Sequence, residues 1–119
     1  MSHPIPTELT LHRRSRVLEV TFDDGTHFEL PCEYLRVHSP SAEVQGHGPG
    51  QEVLQTGKQD VSIVEIRPVG HYGITPVFSD GHDSGIYTWE TLYHLGAHRE
   101  ALWNDYLNKL KQAGYQRNE

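Results

Sequence analysis

The sequence lacks the residues and runs on which several protein classes depend. It has a single cysteine, Cys32, so it forms no internal disulfide and no all-cysteine metal site. It contains no apolar run of about 18 residues, the length that a membrane-spanning helix needs. Lys and Arg number 10 against 16 Asp and Glu, for a net charge of −6. We therefore expect neither nucleic acid nor an anionic membrane surface as a partner.

Several enzyme motifs are missing as well. The chain has no phosphate-binding P-loop, no Gly-x-Ser-x-Gly nucleophile elbow and no His-Glu-x-x-His zinc motif. Its first ten residues contain no basic region followed by an apolar core, as a secretory signal would. These observations predict a cytoplasmic protein and favour a function other than catalysis.

The length of 119 residues corresponds to one domain. Two prolines, Pro4 and Pro6, predict a flexible N-terminal tail over 1–7. The domain itself is expected to cover 8–113, and 114–119 is expected to fray beyond Gly114.

Alternating apolar residues predict a β-hairpin in the first third of the chain. Every second residue of Val17–Phe22 is apolar, Asp23-Asp24-Gly25 is a turn sequence, and the alternation resumes over 26–30. Further apolar patterns predict two more strands, over 60–68 and 72–78.

Three helices are predicted: a short one over 32–38, one over 89–95 that Thr88 caps and Gly96 ends, and one over 98–113. Trp103 and Leu107 of the last helix are expected in the core, on an apolar stripe with Leu102, Tyr106 and Leu110. The pattern as a whole predicts an α+β fold. Antiparallel hairpins form a small sheet, a short helix follows the first hairpin, and two C-terminal helices pack on the sheet.

Two segments are candidate binding regions. Segment 39–59 is rich in Gly, Ser and Pro, and a structureless stretch of about 20 residues in a small domain is usually functional or mobile. The turn Asp80-Gly81-His82-Asp83 places two carboxylates and an imidazole close together, which suits metal binding or acid–base chemistry. An ordinary turn explains the aspartates and the glycine but not His82.

The chain has nine histidines. Iron sites with two histidines and one carboxylate often contain a local His-x-Asp/Glu pair. His27-Phe28-Glu29 and His98-Arg99-Glu100 match this bare pattern, but so short a pattern is expected by chance among nine histidines. His94 lies four residues before His98, and Gly96 between them argues against a helical metal pair.

Three segments resemble one family: FELPCEYLR (28–36), FSDGHDSGIY (78–87) and WETL (89–92). They are similar to the domain of unknown function 971 family, also called the gamma-butyrobetaine hydroxylase-like N-terminal domain, of which this chain resembles a stand-alone bacterial-type member. The resemblance covers roughly 9–110, nearly the whole chain.

The resemblance implies an accessory role. In the carnitine-pathway dioxygenases this domain precedes the catalytic iron/2-oxoglutarate domain and carries a structural zinc on three cysteines and one histidine. Here Ser39, Ser41 and Val44 stand at the cysteine positions and only His82 matches, so no zinc site of that type is expected. Similar domains are also fused to P-loop iron–sulfur carrier ATPases.

We therefore expect a small non-enzymatic adaptor without a cofactor, whose partner is an unknown protein such as an oxygenase or a P-loop iron–sulfur carrier. The residues expected to form its binding surface are Tyr34, Arg36, His38, Asp80, His82 and Tyr87. The alternative is an accessory protein that binds iron or zinc. It would use His82 with Asp80, Asp83 and a further histidine, His38 or His71.

Overall fold

Two three-stranded antiparallel sheets and four helices form the fold, as the predicted α+β class requires. The computed structural model describes residues 4–46, 48 and 50–117. The elements in chain order are β1 (Pro6–His12), β2 (Val17–Phe22), β3 (His27–Pro31), α1 (Cys32–Val37), α2 (Ala42–Gln45), β4 (Ile63–Val69), β5 (Gly73–Phe78), β6 (Tyr87–Thr88), α3 (Trp89–Ala97) and α4 (Arg99–Gln112).

In the first sheet β2 lies between β1 and β3, so the predicted hairpin is confirmed. Leu18, Val20 and Phe22 of β2 are buried, as expected for one face of a strand with period two. β1 begins at Pro6, earlier than the predicted end of the N-terminal tail, because Pro6 pairs with Phe22. Residues 1–3 of that tail lie outside the described part of the chain.

In the second sheet β5 lies between β4 and the two-residue strand β6. Both predicted strands are present, over Ile63–Val69 and Gly73–Phe78. A Cβ atom on Gly73 would lie 2.6 Å from the carbonyl oxygen of Tyr87. The glycine therefore allows β6 to pair with β5, and β6 leads the chain directly into α3.

The helix predicted over 32–38 is α1, and its Cys32, Tyr34 and Leu35 are buried in the main core. The phenol hydroxyl of Tyr34 donates to the Leu95 carbonyl at 2.5 Å. Tyr87 is fully buried, and its hydroxyl donates to the Leu35 carbonyl. Two tyrosines thus join α1 to α3 and to β6, with both hydroxyls satisfied.

Thr88 caps α3 as predicted, because its side chain accepts from the Thr91 amide at 3.1 Å. The predicted stop at Gly96 is wrong, since α3 continues through Gly96 to Ala97. A Cβ atom on Gly96 would lie 2.4 Å from the Phe28 ring. This glycine serves close packing of α3 on β3 rather than helix termination.

The final helix corresponds to the prediction in extent, and Gly114 follows it with a φ of +81°. The expectation that Trp103 and Leu107 lie in the core is confirmed only in part: both are half-buried and pack against the core clusters, whereas Tyr106 and Leu110 are buried. α4 packs at the edge of the fold, where it joins Val37 in a second, smaller cluster. None of the described helices is long and apolar enough to span a bilayer.

The predicted frayed end is attached to the domain at Arg117. Its Nη2 donates to Glu33 Oε1 at 3.0 Å, and its guanidinium lies 5.0 Å from the centroid of the Trp103 ring. A charge-assisted contact and a cation–π contact thus cover the outer side of Trp103. Residues 118–119 of the predicted frayed segment lie outside the described residues.

Gly96→Ala is expected to destabilise the protein, although alanine normally favours a helix over glycine by about 1 kcal/mol. The added methyl group overlaps the Phe28 ring, and such overpacking typically costs about 1–3 kcal/mol. Urea unfolding measures the change. In a Phe28→Leu background, which makes room for the methyl group, the same substitution should cost less. An equal cost in both backgrounds would disprove the contact.

Leu110→Ala should lower the free energy of unfolding by about 2–5 kcal/mol, because Leu110 is buried in the second cluster. Leu107→Ala should cost less, since the Leu107 side chain already meets water in part. Chemical denaturation of both variants gives the comparison. A larger loss at Leu107 would show that α4 is rotated about its axis relative to this structure.

Candidate functional site

Asp80 joins three parts of the chain at the turn that follows β5. Its Oδ2 accepts from Arg36 Nε at 2.8 Å and from Lys58 Nζ at 2.6 Å, and its Oδ1 accepts from the His82 amide at 3.1 Å. Burial by itself would raise the pKa of Asp80, but these hydrogen bonds and the Arg36 charge outweigh it and hold the pKa at about 2. The carboxylate is therefore ionised throughout the physiological pH range.

Arg36 needs this partner because its side chain is only 7% exposed. A buried guanidinium without a counter-charge is costly. Its Nη1 is buried and has no hydrogen-bond partner among the described residues. The Arg36–Asp80 pair thus fixes the C-terminal half of α1 to the turn after β5.

His82 is buried behind this pair. Its Nε2 lies 2.9 Å from Ser39 Oγ and its Nδ1 lies 3.4 Å from Glu43 Oε2. A carboxylate only accepts, so Nδ1 carries the proton and Nε2 accepts from the Ser39 hydroxyl. Burial, followed by the nearby Arg36 charge, lowers the pKa of His82. The imidazole is therefore neutral at pH 7.

The order Ser39, His82, Glu43 matches the hydrogen-bond order of a hydrolase triad. Ser39, however, is fully buried, and its Oγ already accepts from the Ser41 amide at 3.2 Å. A Cβ atom on Gly85 would lie 2.4 Å from Ser39 Oγ, so the chain packs directly against this oxygen. No substrate carbonyl reaches it, and the arrangement acts as a structural hydrogen-bond network.

The three positions that the resemblance equates with zinc cysteines lie beside His82 or in the core. Ser39 bonds to His82, and Ser41 Oγ lies 2.7 Å from Ser84 Oγ, which donates to Glu43 Oε1 at 3.0 Å. Val44 is buried and has no ligand atom. Two hydrogen-bonded hydroxyls and a valine do not fit the sulfur-rich zinc site of the family.

The structure places most of the expected binding-surface residues in the interior. Tyr34, Arg36, His82 and Tyr87 are buried, and the two tyrosine hydroxyls, Arg36 Nε and the His82 ring bond to the protein itself. They position the surrounding backbone and are not free to contact a partner. Of the six residues, only His38 and Asp80 have partly exposed side chains.

The remaining residues of the alternative metal site do not converge on His82. Asp83 is exposed and lies 3.7 Å from Arg67, and His71 is exposed in the turn between β4 and β5. In the part of the chain that the structure describes, the group of His and carboxylate side chains close enough for a metal consists of Glu19, His27 and Glu29. The rings of His94 and His98 do meet, at 4.6 Å between centroids, because Gly96 does not break the helix.

A cleft of about 250 Å³ lies between the predicted binding loop and α4, and we call it the α4 cleft. Valine, leucine and tyrosine side chains form its apolar part, and polar or charged side chains form the rest. The lining residues are Val37, His38, Val44, Gln45, Glu52, Val53, Leu54, Gln55, Leu102, Asp105, Tyr106 and Lys109.

Two hydrogen bonds hold the loop side of the α4 cleft. The Val53 amide donates to the Val44 carbonyl at 2.7 Å, and the Tyr106 hydroxyl donates to the Gln55 carbonyl at 2.7 Å. His38 faces the cleft, with Nδ1 donating to the Tyr34 carbonyl at 2.9 Å, and burial lowers its pKa. The cleft is thus formed before any partner arrives.

Three residues of the site were not identified from the sequence: Lys58, Glu43 and Gly85. Lys58 is the only lysine before Lys109, which is the one signal that could have marked it. Glu43 and Gly85 carry no local signal, because their roles depend on Ser39 and His82, which meet across 43 residues of sequence.

Comparisons with known proteins agree on one family. The family model described as gamma-butyrobetaine hydroxylase-like, N-terminal, matches residues 9–93. Two NMR solution structures are similar to this chain. The first is 46% identical, with a TM-score of 0.84 over 98% of this chain and 92% of the other. The second is 50% identical, with a TM-score of 0.83 over 98% and 86%.

A crystal structure of a protein of unknown function in the DUF971 family, from Acidithiobacillus ferrooxidans ATCC 23270, is also similar. It is 43% identical, with a TM-score of 0.65 over 77% of this chain and 92% of the other. No curated protein matches the chain.

Asp80→Asn should destabilise the protein at pH 7 by about 1.5–3 kcal/mol, the usual worth of a hydrogen bond to a charged group. The folded pKa of Asp80 lies below the ordinary 3.8. Its stabilisation is therefore complete above about pH 4 and is lost as the pH falls toward 2. The difference between wild type and variant should shrink over the same range in urea unfolding.

Asp83→Asn is the matched control for this measurement, because Asp83 lies in the same turn with an exposed side chain. It should change stability by no more than about 0.5 kcal/mol at any pH. Equal losses in the two variants, or a loss at Asp80 that does not depend on pH, would contradict the assigned role of the carboxylate.

Proposed function

The chain belongs to the gamma-butyrobetaine hydroxylase-like N-terminal family, and on that premise we propose that it is a non-catalytic cytoplasmic adaptor. It binds a partner protein through the α4 cleft. The observation that carries the proposal is the cleft itself: an apolar recess with charged groups at its margin, formed by the segment that the sequence marks as a binding loop.

The size of the cleft favours a protein over a metabolite. Small-molecule sites usually measure about 300–1,000 Å³, and this cleft measures about 250 Å³. A recess of this size accommodates a few anchoring side chains of a partner, which is how protein interfaces concentrate their binding energy. Val53 at its margin is 54% exposed, so an apolar side chain is already available for contact.

The charged groups at the α4 cleft orient the partner segment as it binds. Glu52 and Asp105 are acidic, and Lys109 lies on the same helix as Asp105, 3.1 Å from it. Such exposed charges add little affinity but select among partners and set the association rate. They favour a partner segment with an apolar anchor flanked by charges of both signs.

The burial of Ser39 and the neutral, hydrogen-bonded state of His82 support an adaptor over an enzyme. The partners to expect are an oxygenase or a P-loop iron–sulfur carrier, because domains that resemble this one are fused to both.

Val53→Glu should weaken binding to the partner at least about tenfold, because it places a charge at the apolar margin of the α4 cleft. The measurement is isothermal titration of the purified protein with the iron–sulfur carrier and, separately, the oxygenase of the same cell. Val53→Glu and wild type should show the same thermal unfolding midpoint, because the substituted side chain is exposed.

Val64→Glu is the matched control: Val64 is 47% exposed on β4 and does not line the cleft. The Val64→Glu variant should bind the partner with the same affinity as wild type. If Val64→Glu weakens binding as much as Val53→Glu, the contact surface is not the cleft. If neither the iron–sulfur carrier nor the oxygenase binds wild type at concentrations near 1 mM, which corresponds to a binding free energy of about −4 kcal/mol, the adaptor proposal fails for these partners.

A further inference from the structure

The outward face of the first sheet carries a cluster of metal-ligating side chains. Strand periodicity puts the apolar residues of β2 inward and Glu19 outward, in the middle strand. Glu29 is directly opposite Glu19 on β3, and His27 is the partner of Thr21 in the same pair of strands. One ligand atom from each of Glu19, His27 and Glu29 lies within 4.8 Å of the others.

Hydrogen bonds orient the side chains of Glu19 and His27 toward each other. His27 Nε2 lies 2.9 Å from Glu19 Oε2, and His12 Nε2 lies 2.6 Å from Glu19 Oε1. Thr21 Oγ1 lies 3.0 Å from His27 Nδ1, so a neighbouring hydroxyl holds the ring with Nε2 toward the cluster. Such a second contact to the non-ligating nitrogen accompanies most metal-binding histidines.

Two of the three side chains are carboxylates that face each other across β2 and β3. Two carboxylates directly opposite each other on one face of an antiparallel pair repel. The imidazoles of His12 and His27 lie against the Glu19 carboxylate, at 2.6 and 2.9 Å from its two oxygens. A divalent cation between Glu19 and Glu29 would remove the repulsion.

We propose that Glu19, His27 and Glu29 bind one divalent first-row transition-metal ion, with Zn²⁺ as the representative, and that His12 lies beside it as a positioning residue. Imidazole nitrogen with carboxylate oxygen suits this class of ion better than Mg²⁺ or Ca²⁺, which prefer oxygen alone. All three ligands stand on paired strands, so the backbone of the site is rigid.

Binding requires only side-chain movement. Zinc bonds to nitrogen and oxygen measure about 2.0–2.2 Å, so ligand atoms within 4.8 Å of one another close around an ion by rotation of exposed side chains. Three protein ligands leave at least one position of a tetrahedral ion for water or another group. The metal site lies on β2 and β3 and shares no residue with the α4 cleft, which is formed by α1, α2, α4 and the loop.

The test is titration of the untagged, metal-free chain with ZnCl₂ at pH 7.5, followed by calorimetry and by the thermal unfolding midpoint. We expect one equivalent to bind and the midpoint to rise with zinc concentration. His27→Gln and Glu29→Gln should each weaken binding at least about tenfold, since even an outer-shell partner is worth that much. MgCl₂ at the same concentration should not raise the midpoint.

Glu29→Gln should change two measured quantities in opposite directions: the unfolding midpoint without metal and the increase in that midpoint caused by zinc. It removes the repulsion with Glu19, so the metal-free midpoint should rise, while the increase caused by zinc should disappear. A residue with only a structural role would not separate the two effects.

Two controls address the other histidines. His71→Gln alters an exposed histidine outside the cluster, and the double variant His94→Gln, His98→Gln removes the other pair of adjacent rings. Both should bind zinc as wild type does. Zinc binding that survives in His27→Gln and Glu29→Gln, or that is lost in the His94, His98 double variant, would overturn the proposal.

Discussion

The ionised carboxylate of Asp80 is the point at which α1, the long loop and the turn after β5 are held together. Arg36, Lys58 and the His82 amide come from those three parts and donate to its two oxygens. Because Arg36 is buried, the fold tolerates its charge only while Asp80 stays ionised. The three hydrogen bonds ensure this by holding the pKa of Asp80 at about 2. The same constraint keeps His82 neutral, since the Arg36 charge adds to the effect of burial in lowering its pKa.

The candidate site follows from that constraint in two steps. With His82 fixed and neutral, its Nε2 accepts from Ser39, and the 39–43 segment is held against the turn by Ser39, Ser41 and Glu43. That attachment places α2 where Val44 forms one side of the α4 cleft. Four of the residues expected to contact a partner, Tyr34, Arg36, His82 and Tyr87, therefore act one layer deeper. They determine where the loop lies, and in the proposed function the loop and α4 present the surface.

Local patterns were sufficient for much of the fold and for little of the site. The hairpin, α1 and the Thr88 cap depend on period-two alternation and on capping chemistry, which are local in sequence. Gly96 and Leu107 were misjudged because the Phe28 ring and the edge position of α4 decide their roles, and both are tertiary features. The sequence predicts a frayed end at Arg117 because its partner, Glu33, lies 84 residues away. Turn chemistry does not explain His82, which marks it as unusual in the sequence. Periodicity, however, gives no indication that Ser39 is its partner.

The metal-ligating cluster shows why a short motif alone was uninformative. His27-Phe28-Glu29 and His98-Arg99-Glu100 have the same local pattern, and nothing within three residues separates them. Strand register does: β2 places Glu19 opposite Glu29 and next to His27, whereas His98 and Glu100 stand at the junction of two helices. In a strand, residues two apart share a face, so both side chains of a His-x-Glu pair point the same way. The third ligand then comes from the neighbouring strand, which makes register the property that turns a chance pattern into a site.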